Sequence, residues 1–118
     1  MIRGSVSSEG LPVIVLEVAG QPWLATIDTG FNGDLELPTE LRSKLPVEFI
    51  GRVASLLAGG QRVEEDAYAV DFPFDGETVR AEATFVSGPE ILIGTHLLMS
   101  HQLTIDFPQR SVSVDRAC

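Results

Sequence analysis

Short runs rich in β-branched and aromatic residues follow one another along the chain, separated by glycine, proline and aspartate. That rhythm predicts an all-β domain with little room for helix. Val13-Ile14-Val15-Leu16-Glu17-Val18 reads as a strand and Gly20-Gln21-Pro22 as a turn. Trp23-Leu24-Ala25-Thr26-Ile27-Asp28 is the returning strand of a hairpin, with Asp28 at its end. Asp34-Leu35-Glu36-Leu37 is another short strand, after which Pro38 and Thr39 start a short helix through Lys44, with Thr39 as N-cap. Residues 49–72 read as two long strands folded about Gly59-Gly60, because glycine reaches positive φ without steric penalty.

Phe72-Pro73-Phe74-Asp75-Gly76 makes the next turn. It leads into Glu77–Val86, where Val79, Ala81, Ala83 and Phe85 alternate with Thr78, Arg80, Glu82 and Thr84, giving one buried and one wet face. Beyond Ser87-Gly88-Pro89, Ile91-Leu92-Ile93-Gly94 is too apolar for a half-exposed strand, and Thr95–Met99 suits a short capped helix. Leu103–Phe107 and Val112–Val114, joined around Pro108, form the last two strands. Trp23, Phe72, Phe85 and Phe107 read as core, and Tyr68 as core with its hydroxyl at the rim.

Length and composition narrow the picture. At 118 residues the chain makes one domain, which sets aside a two-domain or solenoid reading. Hydrophobic residues at 44% and charged residues at 21% give a globular rather than a disordered profile. Seventeen acidic side chains against 8 basic ones leave a net charge of -9, which repels phosphate backbones and anionic lipid, so neither nucleic acid nor membrane is an expected partner. The single cysteine, Cys118, excludes an internal disulfide and a thiolate metal site. His96 and His101 are five apart and miss the i, i+4 spacing of two ligands on one helix face, so no metal or other cofactor is expected. The first residues carry one basic side chain, and the apolar stretch Leu11–Val18 is interrupted by Pro12 and Glu17. No signal peptide and no membrane span is read, and a soluble, cytoplasmic protein is expected.

Candidate chemistry gathers at Ala25-Thr26-Ile27-Asp28-Thr29-Gly30-Phe31, an apolar strand that delivers an aspartate into a turn. The carboxylate stands at the mouth of a buried strand, the glycine lets backbone approach closely, and the threonine can hydrogen-bond across a symmetric contact. Thr-Ile-Asp recurs at Thr104-Ile105-Asp106, but there it runs into Phe107-Pro108 and reads as alternation alone. Ile91-Leu92-Ile93-Gly94 follows the first motif about sixty residues on, with the Gly59-Gly60 hairpin between.

In these three features, in this order, the sequence resembles the retropepsin-like aspartic proteases, the single-domain relatives of pepsin. It looks most like small prokaryotic members whose motif continues with Phe after Asp-Thr-Gly, over about Leu11 to Val114. The resemblance implies a closed, mostly antiparallel β-barrel with one short helix near the C-terminus, and one retropepsin-like domain over 1–118. It implies Asp28 as catalytic aspartate, Thr29 in a hydroxyl network between two subunits, and Gly30 shaping the loop. The hairpin corresponds to a flap over a peptide or protein substrate, with Ala58, Gly59 and Gly60 at its tip, and Leu92-Ile93-Gly94 packs behind the active-site loop. Phe31 is larger than the residue usual in retroviral members and would reshape the substrate cleft. Where those enzymes often carry an arginine that braces the dimer, this chain has Thr95 and His96.

Peptide hydrolysis by a bound water needs a base for the water and an acid for the carbonyl oxygen and the leaving amine. Two carboxylates in contact do both, because they share one proton. With a single Asp-Thr-Gly, the second must come from a second copy, so a C2 homodimer is expected. Asp34 either binds substrate backbone from the cleft wall or begins a strand. Glu64-Glu65-Asp66 either is a solvated strand face or selects basic substrates. A noncatalytic dimeric peptide-binding module, and a small β-barrel ligand binder without a dyad, remain as alternatives.

Overall fold

The structure, a computed structural model, describes residues 1–56 and 59–117. Its strands are β1 (Ile2–Val6), β2 (Pro12–Val18), β3 (Gln21–Ile27), β4 (Leu35–Pro38), β5 (Glu48–Leu56), β6 (Arg62–Phe74), β7 (Glu77–Val86), β8 (Ile91–Ile93), β9 (His101–Asp106) and β10 (Ser111–Arg116). They join in one sheet ordered β5-β6-β7-β4-β8-β3-β2-β1-β10-β9. Most neighbours are antiparallel, while β3 and β8, and β4 and β7, run parallel. The sheet folds over so that β2 packs against β6, enclosing Ile14, Leu35, Leu37, Phe74, Ile93 and Val114.

Periodicity explains the outer strands. On β2, Ile14, Leu16 and Val18 point inward while Val15 and Glu17 face solvent. The centre is different. Parallel strands β3 and β8 lie side by side, and Ala25, Thr26, Ile27, Ile91 and Ile93 are all buried, so these segments read as continuous apolar runs.

Several expectations are corrected. Among the described residues the sheet does not close into a barrel: β5 pairs only with β6 and β9 only with β10, which leaves both as edges. No helix forms over Thr95–Met99. Those residues make successive turns, with the N–H groups of Leu98, Met99 and His101 donating to the carbonyls of Thr95, His96 and Leu98. The segment is too short to nucleate an α-helix and closes through i→i−3 hydrogen bonds, while the Thr95 and His96 N–H groups tie it to carbonyls of residues 31 and 33. Thr39 is not an N-cap: Pro38 occupies that position at the end of β4 with no side-chain cap bond, and Thr39–Ser43 is a 3-10 helix. Phe107 is 57% exposed because it begins the turn between β9 and β10 rather than lying in the core. Strand β6 runs through Phe74, so its turn narrows to Asp75-Gly76.

Strand β1 escaped the sequence reading, since Ile2-Arg3-Gly4-Ser5-Val6 carries little apolar signal. A Cβ on Gly4 would lie 2.1 Å from the Val13 carbonyl oxygen, so this glycine lets β1 pass close over β2. Ala58 and Cys118 lie outside the described residues. Among the described residues no helix is long and apolar enough to cross a membrane.

Candidate active site

Parallel pairing decides where Asp28 stands. Ala25, Thr26 and Ile27 are registered with Ile91, Leu92 and Ile93, and the Asp28 N–H donates to the Ile93 carbonyl at 2.9 Å. The ladder thus holds the backbone of Asp28 just past the last residue of β3. The chain then turns: the Phe31 N–H donates to the Asp28 carbonyl at 3.1 Å, and the Gly30 N–H donates to Asp28 Oδ1 at 2.8 Å. One carboxylate oxygen is oriented by backbone, and Oδ2 carries no hydrogen bond among the described residues. Asp28 is half-buried, whereas Thr29 and Gly30 are exposed.

The far side of the loop is stitched to the segment after β8. Gly94, Thr95 and His96 donate their N–H groups to the carbonyls of Asp34, Phe31 and Gly33 at 3.0, 2.8 and 3.1 Å. A Cβ on Gly94 would lie 2.1 Å from the Gly33 carbonyl oxygen and 2.7 Å from the Phe31 ring, so only glycine fits. Phe31 therefore packs largely on its own loop, against Gly33 and Gly94.

Asp34 is 9% exposed and serves as an internal strut. Its Oδ2 accepts the Glu82 N–H at 2.9 Å, and its Oδ1 lies 2.6 Å from His96 Nδ1. The hydrogen bond to Asp34, and then its charge, raise the His96 pKa above the ordinary 6.5. At the place where the sequence showed no arginine brace, His96 supplies a brace within the chain. Both oxygens of Asp34 are engaged by the protein, and Asp34 precedes β4 rather than opening it.

Two clefts flank this loop. The larger, about 680 Å3, is lined by Asp28 and Thr29 together with Leu11, Ile27, Pro89, Ile105 and Phe107. The smaller, about 290 Å3, lies between residues 31–36 and the β5–β6 hairpin, which contributes Val53, Ala54 and Glu65. Glu82 and His96 also line it. Glu36 lines both clefts. Burial, then the charges of Glu65 and Asp28, push the Glu36 carboxyl above the usual range. Gly59 and Gly60 take positive φ of 99° and 85° at the hairpin turn and line neither cleft.

No protein-family model matches the sequence, and no curated protein does. Solved structures do match. The crystal structure of a retropepsin-like aspartic protease from Rickettsia conorii aligns with a TM-score of 0.67 at 17% identity, covering 97% of this chain and 89% of that one. This chain has the retropepsin-like fold. The Simian foamy virus (mac) protease aligns with a TM-score of 0.58 at 20% identity, over 74% of this chain and 91% of that one. The foamy viral protease-reverse transcriptase in complex with an RNA/DNA hybrid aligns with a TM-score of 0.62 at 18% identity, over 81% of this chain and 13% of that one.

In this retropepsin-like chain, Asp28, Thr29 and Gly30 form one continuous turn after β3, Phe31 packs against Gly33 and Gly94, and Asp34 ties the loop to Glu82 and His96. Glu36 and Glu82 went unremarked in the sequence. Glu36 gave no signal of its own, because a charge between the buried Leu35 and Leu37 is ordinary strand alternation and only the tertiary structure shows that its face lines the clefts. Among the described residues no group of three or more His, Cys, Asp or Glu side chains could hold a metal ion.

Proposed function

We propose that the protein is a homodimeric aspartic endopeptidase in which the Asp28 carboxylates of two copies activate one water. The observation that carries this reading is the state of Asp28. Its carboxylate stands at the end of a buried strand of a retropepsin-like fold, oriented through Oδ1 by the Gly30 N–H and half-exposed in a large cleft. One copy offers one such carboxylate. A twofold contact between Asp28 loops would bring each carboxylate against its own copy, where the pair shares a proton and titrates as a unit. The ionised member takes the proton of the attacking water, and the protonated member donates to the scissile carbonyl oxygen.

In this reading the exposed Thr29 meets its copy across that axis, and the Gly30 N–H keeps Asp28 oriented. The β5–β6 hairpin acts as the flap, with Gly59 and Gly60 near its tip, and peptide lies beneath it as an added strand. At a net charge of -9 per chain, association works against mutual repulsion, so dimers tighten as salt rises. Sedimentation at increasing salt that showed weaker association would contradict this.

The reading is tested by incubating a mixed peptide library with the wild type and with Asp28→Asn across roughly pH 3 to 7, with and without a transition-state-mimicking aspartic protease inhibitor. Cleavage that the inhibitor blocks and the substitution abolishes is the expected result. A folded dimer that cleaves nothing would transfer the fold to a noncatalytic peptide-binding role.

A further inference from the structure

The chain has 8 basic side chains for 17 acidic ones, and among the described residues no lysine or arginine lines either cleft, three arginines being paired elsewhere. Arg116 pairs with Glu77, Arg80 with Glu48 and Asp71, and Arg52 with Asp66. The clefts are left anionic. Glu36 stands on the partition between the Asp28 cleft and the smaller one, Glu65 reaches the smaller cleft from the hairpin, and Glu82 from β7. Among the described residues none of these three carboxylates has an ion pair or a side-chain hydrogen bond. The one basic group lining the smaller cleft, His96, is bonded to Asp34.

The walls of that cleft are not uniformly acidic. Phe31, Leu35, Val53 and Ala54 supply apolar surface beside the carboxylates. At about 290 Å3 the space sits at the small end of ligand pockets and suits one long side chain. An apolar wall leading to unpaired carboxylates matches a side chain with a methylene stem and a cationic head. A half-buried carboxylate without a partner is also costly to ionise, and burial and the charges of Glu65 and Asp28 already hold the Glu36 carboxyl above its usual range. An arriving cation relieves that cost, which makes the site selective.

We infer that Glu36, assisted by Glu65 from the hairpin, is a specificity-determining residue that selects peptides carrying lysine or arginine near the scissile bond. This rests on the protease reading, because the peptide is the ligand that reading places in the cleft. The preferred position lies near the scissile bond rather than directly flanking it, since the smaller cleft adjoins the Asp28 cleft without including Asp28.

The test uses peptides matched except for lysine, norleucine or glutamate at each position near the cleavage site, and reads ratios of kcat/KM. The wild type is expected to favour lysine over norleucine by about tenfold or more at one position, a difference of about 1.4 kcal/mol. Glu36→Gln should bring that ratio close to one, Glu36→Asp should keep most of it, and Glu65→Gln should lower it in part. A wild type that cleaves without basic preference, or a ratio that Glu36→Gln leaves intact, overturns the inference and leaves the protease reading standing. If nothing is cleaved, the protease reading fails and the same peptides, fluorescently labelled, are titrated by anisotropy. Tighter binding of the lysine peptide that is lost in Glu36→Gln then supports the acidic subsite, and equal binding of all peptides overturns it.

Discussion

The Asp28 loop and the outer half of the β5–β6 hairpin border the same small cleft from opposite sides, and they are built by opposite means. The loop is over-determined. Hydrogen bonds from Asp28, Phe31, Gly94, Thr95 and His96 N–H groups tie it to itself and to the segment after β8, over a core of Leu35, Leu37 and Ile93. Beyond Ala67, among the described residues, the hairpin has its own two-stranded ladder alone, with an Arg52–Asp66 pair at 3.7 Å across it; at its base Phe49 and Ile50 are exposed and the register shifts between Phe49 and Gly51. On the proposed reading, position is held where Asp28 would meet its copy, and side-chain packing is sparse where a peptide would enter, which keeps local opening of the hairpin cheap.

The contrast can be broken first at the carboxylate. Asp28→Asn should lower kcat/KM by about 1,000-fold or more while leaving the thermal midpoint nearly unchanged, because the amide keeps the shape and one acceptor for the Gly30 N–H. A large loss of thermal stability in that variant would mean the carboxylate charge holds the loop together.

Two glycine substitutions compare the regions directly. Gly94→Ala drives a Cβ into the Gly33 carbonyl and the Phe31 ring, and should cost about 3 kcal/mol in denaturant unfolding. Gly60→Ala meets nothing within 4 Å and suffers only from its φ of 85°, so about 1 kcal/mol is expected, with no spread to the core. Equal costs at the two sites would refute the difference in build.

A smaller effect tests the His96–Asp34 strut. The folded pKa of His96 is raised, so the stabilisation is fully present below the ordinary value of 6.5 and is lost as pH rises through the folded value. Melting curves of the wild type and His96→Ala should therefore converge as the solution becomes alkaline. The gap stays modest even in acid, since the His96 side chain is 72% exposed. Smallest of all, Arg52→Ala on the hairpin should change stability by about 0.5 kcal/mol or less, and a chemical denaturation midpoint would register anything larger.

The reading of the sequence succeeded where information is local. Period-two patterning marked β7, runs of β-branched and apolar residues bounded by turn signals marked β2 and β3, Gly59-Gly60 marked a turn, and the apolar run Ile91-Leu92-Ile93 marked a largely buried strand. It failed where a distant partner decides. Thr95–Met99 suits a short capped helix, yet the segment is tied to the Asp28 loop by the N–H groups of Thr95 and His96 and closes only in successive turns. Strand β1 has almost no pattern of its own and exists because β10 and β2 pair with it.

By itself, then, the sequence determined an all-β chain, a carboxylate delivered at the end of a buried strand, and a strong acidic excess, since each follows from residues close together in the chain. Tertiary structure alone decided that the sheet stays open, that Asp34 braces His96, and that Glu36 stands between Asp28 and the hairpin. Those arrangements depend on pairings between distant segments, such as β3 with β8 and β4 with β7. Alternation along a strand says which face a side chain takes, and only the neighbouring strand says what it meets there.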